Sequence, residues 1–187
     1  MDMTALGKQS SDPGMKQLLI QMPRINQIDR RTDVVFILFH HAQSIHGITK
    51  LQKLLFLIEE ETEFFEEYKD DLAFEFNAHK MGPFSKHVYE EIRFLQQLNA
   101  IQTEPMEDGN QGEDDLTNKI FHITTKGEKI ASELANQLEP EHNEELAELV
   151  ESYNDMELRD LLNYVYTEYP SFTTESEIKD EILTGAI

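Results

Sequence analysis

Cysteine is absent from all 187 residues. Disulfides, thiolate catalysis and Cys-ligated zinc are therefore excluded. No apolar run approaches the length needed to cross a bilayer, and no apolar leader-type segment opens the chain, so a cytoplasmic location is expected. Basic residues are scarce too: 16 Lys/Arg stand against 37 Asp/Glu, a formal net charge of −21. The deficit is uneven. Residues 1–100 hold 11 Lys/Arg and 15 Asp/Glu, whereas residues 101–187 hold 5 and 22. Such asymmetry implies different tasks or partners for the two halves, although a solubilising surface explains it equally simply. An acidic C-terminal half should be repelled by a phosphate backbone, which needs cations to neutralise it.

The signatures of enzyme chemistry are missing as well. There is no Gly-x-Ser-x-Gly, Walker A or dinucleotide-binding fingerprint. The seven histidines (His40, His41, His46, His79, His87, His122 and His142) never take the His-Glu-x-x-His spacing of a zinc site. Acidic residues from Glu59 to Glu67 lack the glycine and alternating oxygens of a calcium loop, so they read as a solvated helix end. His87 with Glu90 and Glu91 resembles an acid–base set, yet charged helix faces of this kind are commonplace. The expectation is a protein with no catalytic residue, no metal and no cofactor.

What is present is a series of periodic segments. Residues 1–30 are polar and read as a flexible arm, with Met15 to Met22 able to form a short helix. Asp33 to Ser44 predicts a helix capped by Thr32 or Asp33, which Gly47 ends. Thr49 caps a second helix, in which Ile48, Leu51, Leu55 and Ile58 follow the helical period and Leu54 and Phe56 widen the stripe. Leu72 to His79 alternates as a half-buried strand. Gly82-Pro83 is a turn, and Ser85 caps a third helix with Val88, Ile92, Leu95 and Leu98 inward. Lys86, Glu90, Arg93 and Gln97 then face outward. Ile101 to Thr103 and Lys119 to Thr124 are two strands around a long Gly/Asp/Glu loop. Thr125 caps a fourth helix, and Glu141 to Tyr153 and Asp155 to Tyr169 give two more. Pro170 ends the last of these, and Thr174 to Glu177 opens a final short one.

Helix, helix, helix, strand, loop, strand, helix is the order of a winged helix. The fold class expected is mainly α with a small β-hairpin: a winged helix-turn-helix core at 31–138, with a helical subdomain at 139–187 packed on it. The stretch FHITTKGEKIASEL resembles the strand and helix that follow the wing in MarR- and PadR-type proteins. LQKLLFLIEEE, FEFNAHKMGPFS and HVYEEIRFLQQLNAI together resemble the Panacea-domain proteins of bacteria and phages, many of which act as antitoxins. A sister group of small winged-helix proteins of bacilli and archaea has a similar Lys-Leu-Gln-Lys segment and Gly-Pro-Phe turn. LLNYVYTEYPSFTTESEIKDEIL is closer to that second group, because Panacea proteins usually carry a Pro-Trp pair there and this chain has no tryptophan. The resemblance spans roughly residues 33–182.

Two sets of candidate site residues follow. Lys50, Lys53, Lys80, Lys86 and His87, with Arg93 beyond them, would form one basic patch if the Gly-Pro turn lies near the start of the second helix. Such a patch suits an acidic peptide or a phosphate, and the plainer alternative is lysine stems covering apolar neighbours. Tyr166, placed near the rim of its helix, is a candidate for protein contact. The second set is the acidic wing: Glu104, Glu107, Asp108, Glu113, Asp114 and Asp115, with no Lys or Arg among residues 104–115. The function expected is non-enzymatic binding and restraint of a partner protein, antitoxin-like or regulatory, with a basic partner favoured by charge. A homodimer is compatible with this. The alternative is a transcriptional regulator whose third helix, through Lys86, His87, Glu90, Arg93 and Gln97, enters the major groove. Its acidic wing makes duplex DNA an unfavourable partner.

Overall fold

The structure, a computed structural model, describes residue 28, residues 30–107 and residues 116–185. The arm with its Met15–Met22 segment, and Asp108, Glu113, Asp114 and Asp115 of the wing, lie outside these residues. The chain is mainly helical with one small antiparallel sheet. In order come α1 (Arg31–Ala42), β1 (Ser44–His46), α2 (Ile48–Glu61), α3 (Glu63–Leu72), α4 (Lys86–Gln97), β2 (Ile101–Pro105), β3 (Lys119–Ile123), α5 (Thr125–Ala135), α6 (Pro140–Asn154), α7 (Leu158–Glu168), a 3-10 turn (Pro170–Thr173) and α8 (Lys179–Thr184). The strand order is β1-β3-β2, with Ile45 opposite Phe121 and Thr103 opposite Phe121 on the other side.

Several local expectations need correction. The first helix is capped by Arg30 rather than by Thr32 or Asp33. The Asp33 carboxylate instead accepts the Arg30 amide at 3.1 Å. Past that helix, Ser44–His46 leaves the helical path as a third strand, pairing with Ile120–His122 and burying only Ile45. Gly47, at φ +94°, is the N-cap of α2 in place of Thr49. Acidic residues after Ile58 do not merely end α2. Thr62 breaks the helix and a separate α3 follows, its first amides (Glu63 and Phe64) held by the carboxylate of Glu145 from α6 at 2.7 and 3.1 Å. Residues 72–79 form no strand. Burial alternates through Leu72 and Phe74, but Glu75 takes φ +57°, and backbone pairing is reduced to one bridge between Asn77 and Phe84. The fourth predicted helix starts one residue early, with Thr124 capping Gly127 at 3.1 Å.

Ser85 caps α4 as its sequence indicates, accepting the His87 amide at 3.1 Å. Val88, Ile92 and Leu95 of that helix are buried. Gly127 has a steric purpose: a Cβ there would stand 2.2 Å from the Ala100 carbonyl, so α5 crosses the β2 entry in direct backbone contact. One apolar cluster runs from Ile28 to Ile182 and includes residues of every helix. Helix α6 packs against α1, α2 and α3, and α7 against α2. The described residues after 138 therefore share the core of those before it. Helix α2 lies at its centre: Lys50 through Ile58 are all buried, with no solvated face along that run. A helix enclosed on every side must satisfy its polar residues internally.

Candidate functional site

Lys50, Gln52 and Lys53 show how α2 does this. Lys50 Nζ donates to the carbonyls of Asn154 (2.7 Å) and Met156 (2.8 Å). These close the C-terminal end of α6, where a cation suits both the unpaired carbonyls and the helix dipole. Gln52 works in the opposite direction. Its amide donates to the Ser85 carbonyl at 2.8 Å and accepts the Ser85 N–H at 3.0 Å, imitating a strand partner. Lys53 Nζ donates to the Pro83 carbonyl at 2.8 Å. One short helical segment thus fixes the start of α7 through Lys50 and the Gly-Pro turn through Gln52 and Lys53.

The turn itself is shaped for this approach. Gly82 has φ +80°, and a Cβ there would meet Tyr166 at 2.7 Å and Lys53 Cε at 3.5 Å. Tyr166 is 1 % exposed and its hydroxyl accepts from Ser176 at 3.0 Å. Burial raises its phenol above the usual range. Tyr166 is therefore a packing partner of Gly82 and has no rim position, a correction to its candidacy for partner contact. Lys50 and Lys53, at 8 % and 2 % exposure, must likewise be withdrawn from a surface patch. Burial lowers both lysines, Lys53 to about 7. The proposed patch divides: two members are internal, and Lys80 and Lys86 remain outside. Lys80 is paired with Glu177 at 3.0 Å.

The outward face of α4 is the second assembly. Lys86, Glu90, Arg93, Phe94 and Gln97 are exposed along it. Phe94, absent from the candidate residues, is 46 % exposed, one of the two large apolar side chains so open among the described residues. The Arg93 guanidinium lies 5.8 Å from the Tyr89 ring centre. His87 is held between carboxylates, Glu75 at 3.0 Å and Glu90 at 2.9 Å. Hydrogen bonds to His87 hold both carboxyls below their ordinary range. The imidazole of His87 thus has a carboxylate on each ring nitrogen.

A third cluster ties the C-terminal helices to α2. Glu61, at the end of α2, accepts hydrogen bonds from three phenols: Tyr153 (3.1 Å), Tyr164 (2.8 Å) and Tyr169 (2.9 Å). Burial, together with the bond to an anionic acceptor, pushes the Tyr164 and Tyr169 phenols well up. The sequence offers the aromatics but no sign that they converge on one carboxylate. Of the wing, Glu104 and Glu107 are described, and Glu104 bonds His122 across the hairpin at 2.9 Å. Among the described residues no group of three His, Asp or Glu could hold a metal ion, and no helix is long and apolar enough to cross a membrane. No family model matches the chain, and no curated protein or solved structure matches it significantly.

Proposed function

We propose that this chain is a winged-helix protein acting as a non-enzymatic binding module, antitoxin-like or regulatory, that holds and restrains a basic partner protein through the outward face of α4. The observation carrying this reading is Phe94, 46 % exposed beside Arg93 on the outward face of α4. Aromatic residues, Phe among them, and arginine are both enriched at protein–protein interfaces relative to the rest of the surface. The chain's net charge of −21 favours a basic partner by long-range attraction, although the α4 face itself carries Lys86 and Arg93.

The winged-helix assignment is supported by the strand order β1-β3-β2 and by the position of α4 immediately before the β2–β3 hairpin. The resemblance to Panacea-domain proteins supports the antitoxin-like version and a cytoplasmic, prokaryotic or phage setting. The DNA-binding alternative has the same helix to use, but Glu75 and Glu90 occupy His87, and Glu104 and Glu107 open the wing where phosphates would lie. The test is copurification of the tagged chain from its native locus, followed by mass spectrometry. A basic protein should be recovered with wild type and lost with Arg93→Ala/Phe94→Ala. Failure to recover one, or equal recovery with the double variant, contradicts the proposal.

A further inference from the structure

A cavity of about 180 Å³ opens between the first turns of α2, the Gly82-Pro83 turn and α4. Its polar lining is peculiar for this protein. Lys53, Lys80, His79 and Thr49 contribute to the wall, Phe84 and Tyr89 supply aromatic surface, and no Asp or Glu lines it. In a chain with 37 acidic residues this exclusion stands out. Lys53 gives one hydrogen bond, to Pro83, and burial is the sole cause of its lowered basicity, with no carboxylate offsetting it. A buried ammonium normally has an anionic partner, because desolvation without one is costly. Gly47 offers the start of α2 no side-chain cap, and the first turn of that helix carries no acid.

We propose that this cavity binds a small carboxylate, whose oxygens pair with Lys53 while its apolar body rests against Phe84 and Tyr89. The space is below the usual range for drug-sized ligands, roughly 300 to 1,000 Å³. It suits a free monocarboxylic acid or the C-terminal carboxylate of a peptide. Lys80 stands at the rim with its charge engaged by Glu177, and His79 stacks on Phe84 with ring centres 4.7 Å apart. Tyr166 packs directly against Gly82. Lys53, 2 % exposed, is the buried cation of this wall. The cavity adjoins the α4 face through Tyr89, but the proposal does not depend on the partner proposed for that face.

Binding a carboxylate stabilises the protonated lysine, so affinity should be greatest below pH 7, where Lys53 is already charged. It should then fall about tenfold per pH unit as Lys53 loses its proton. The experiment is an amide and lysine-Nζ NMR titration of the full chain with sodium benzoate at several pH values. A short peptide ending in a free carboxylate, and the same peptide amidated, form the second arm. Benzoate should move the resonances of residues 48–53 and 79–84 in the millimolar range and shift the Lys53 ammonium titration upward. Lys53→Met should abolish this. A response to the free-acid peptide but not its amide assigns the site to a chain terminus; a response to benzoate alone assigns it to a small acid. If neither probe moves the Lys53 Nζ signal of wild type at any pH, the proposal is overturned, whether or not Lys53→Met folds.

Discussion

Helices α2 and α4 begin alike, with lysines in or near the first turn beside apolar residues, yet they use those lysines in opposite ways. In α2 the side chains of Lys50 and Lys53 are buried and donate to backbone carbonyls. In α4 Lys86 and Arg93 are exposed on a face that also presents Phe94. The difference is position in the fold. A helix enclosed on all sides can keep a charge only by giving it acceptors, whereas a helix at the surface can leave it to solvent. Charge at a helix start therefore stays at the surface in one case and acts as a structural clamp in the other.

The comparison is broken most severely by removing a clamp. Lys50→Met deletes two charge-assisted hydrogen bonds and orphans the carbonyls of Asn154 and Met156. Each such bond is worth about 1.5–3 kcal/mol, so chemical denaturation should show a loss of about 3 kcal/mol. Gly82→Ala should follow at about 2 kcal/mol, since the new Cβ meets Tyr166 at 2.7 Å in a backbone conformation that disfavours side chains. Thermal unfolding of each variant against wild type measures both.

The clamp also predicts a pH dependence. Lys53 titrates near 7 when folded and near 10.5 when unfolded, so between these values the unfolded chain holds the extra proton. Stability should rise with pH across that window, by at most about 1.4 kcal/mol per pH unit from this group. Below pH 7 the penalty is complete and the contribution is flat. Lys50, also lowered by burial, adds with the same sign. Tyr153, Tyr164 and Tyr169 act in the other direction: their folded phenols are raised above 10, so the unfolded chain loses those protons first and stability falls beyond that pH. Denaturation midpoints from pH 6 to 11 should trace a maximum near pH 10, and Lys53→Met should remove much of the rise but keep the fall.

How far the sequence could anticipate this depends on how local each signal is. Ser85, the Gly-Pro turn and the inward seam of α4 depend on neighbours in the chain and were legible. β1 was not, because three residues with one buried side chain cannot be told from a frayed helix end. The alternation through Leu72, Phe74 and Phe76 describes burial correctly, but among the described residues only the Asn77–Phe84 bridge pairs with it, and Glu75 interrupts the extended path. Lys50 and Lys53 look like surface residues until it is known that α6 and the turn cover them on both sides. The three phenols on Glu61 are separated from it by about a hundred residues, beyond any local pattern. Gln52 left a faint signal, an amide set between lysines inside an apolar run.

The surface side of the comparison predicts small effects on stability. Arg93→Ala/Phe94→Ala should change it by less than about 0.5 kcal/mol, since both side chains are exposed. Neutralising the six wing acids to Asn or Gln should be equally mild. The unmodified chain should show no duplex DNA binding in gel-shift titrations at physiological salt, where its acids oppose the release of counterions from phosphate.

The measurement that bears most directly on the account is the affinity of one recovered partner for three forms of the chain: wild type, Arg93→Ala/Phe94→Ala and Lys50→Met. Titration calorimetry at a temperature where all three are folded should give at least about tenfold weaker binding for the α4 variant, as loss of an interface hot spot does. Lys50→Met should bind as wild type does, because its charge is internal. Unchanged affinity for the α4 variant, with loss confined to Lys50→Met, would contradict the assignment of α4 as the binding face.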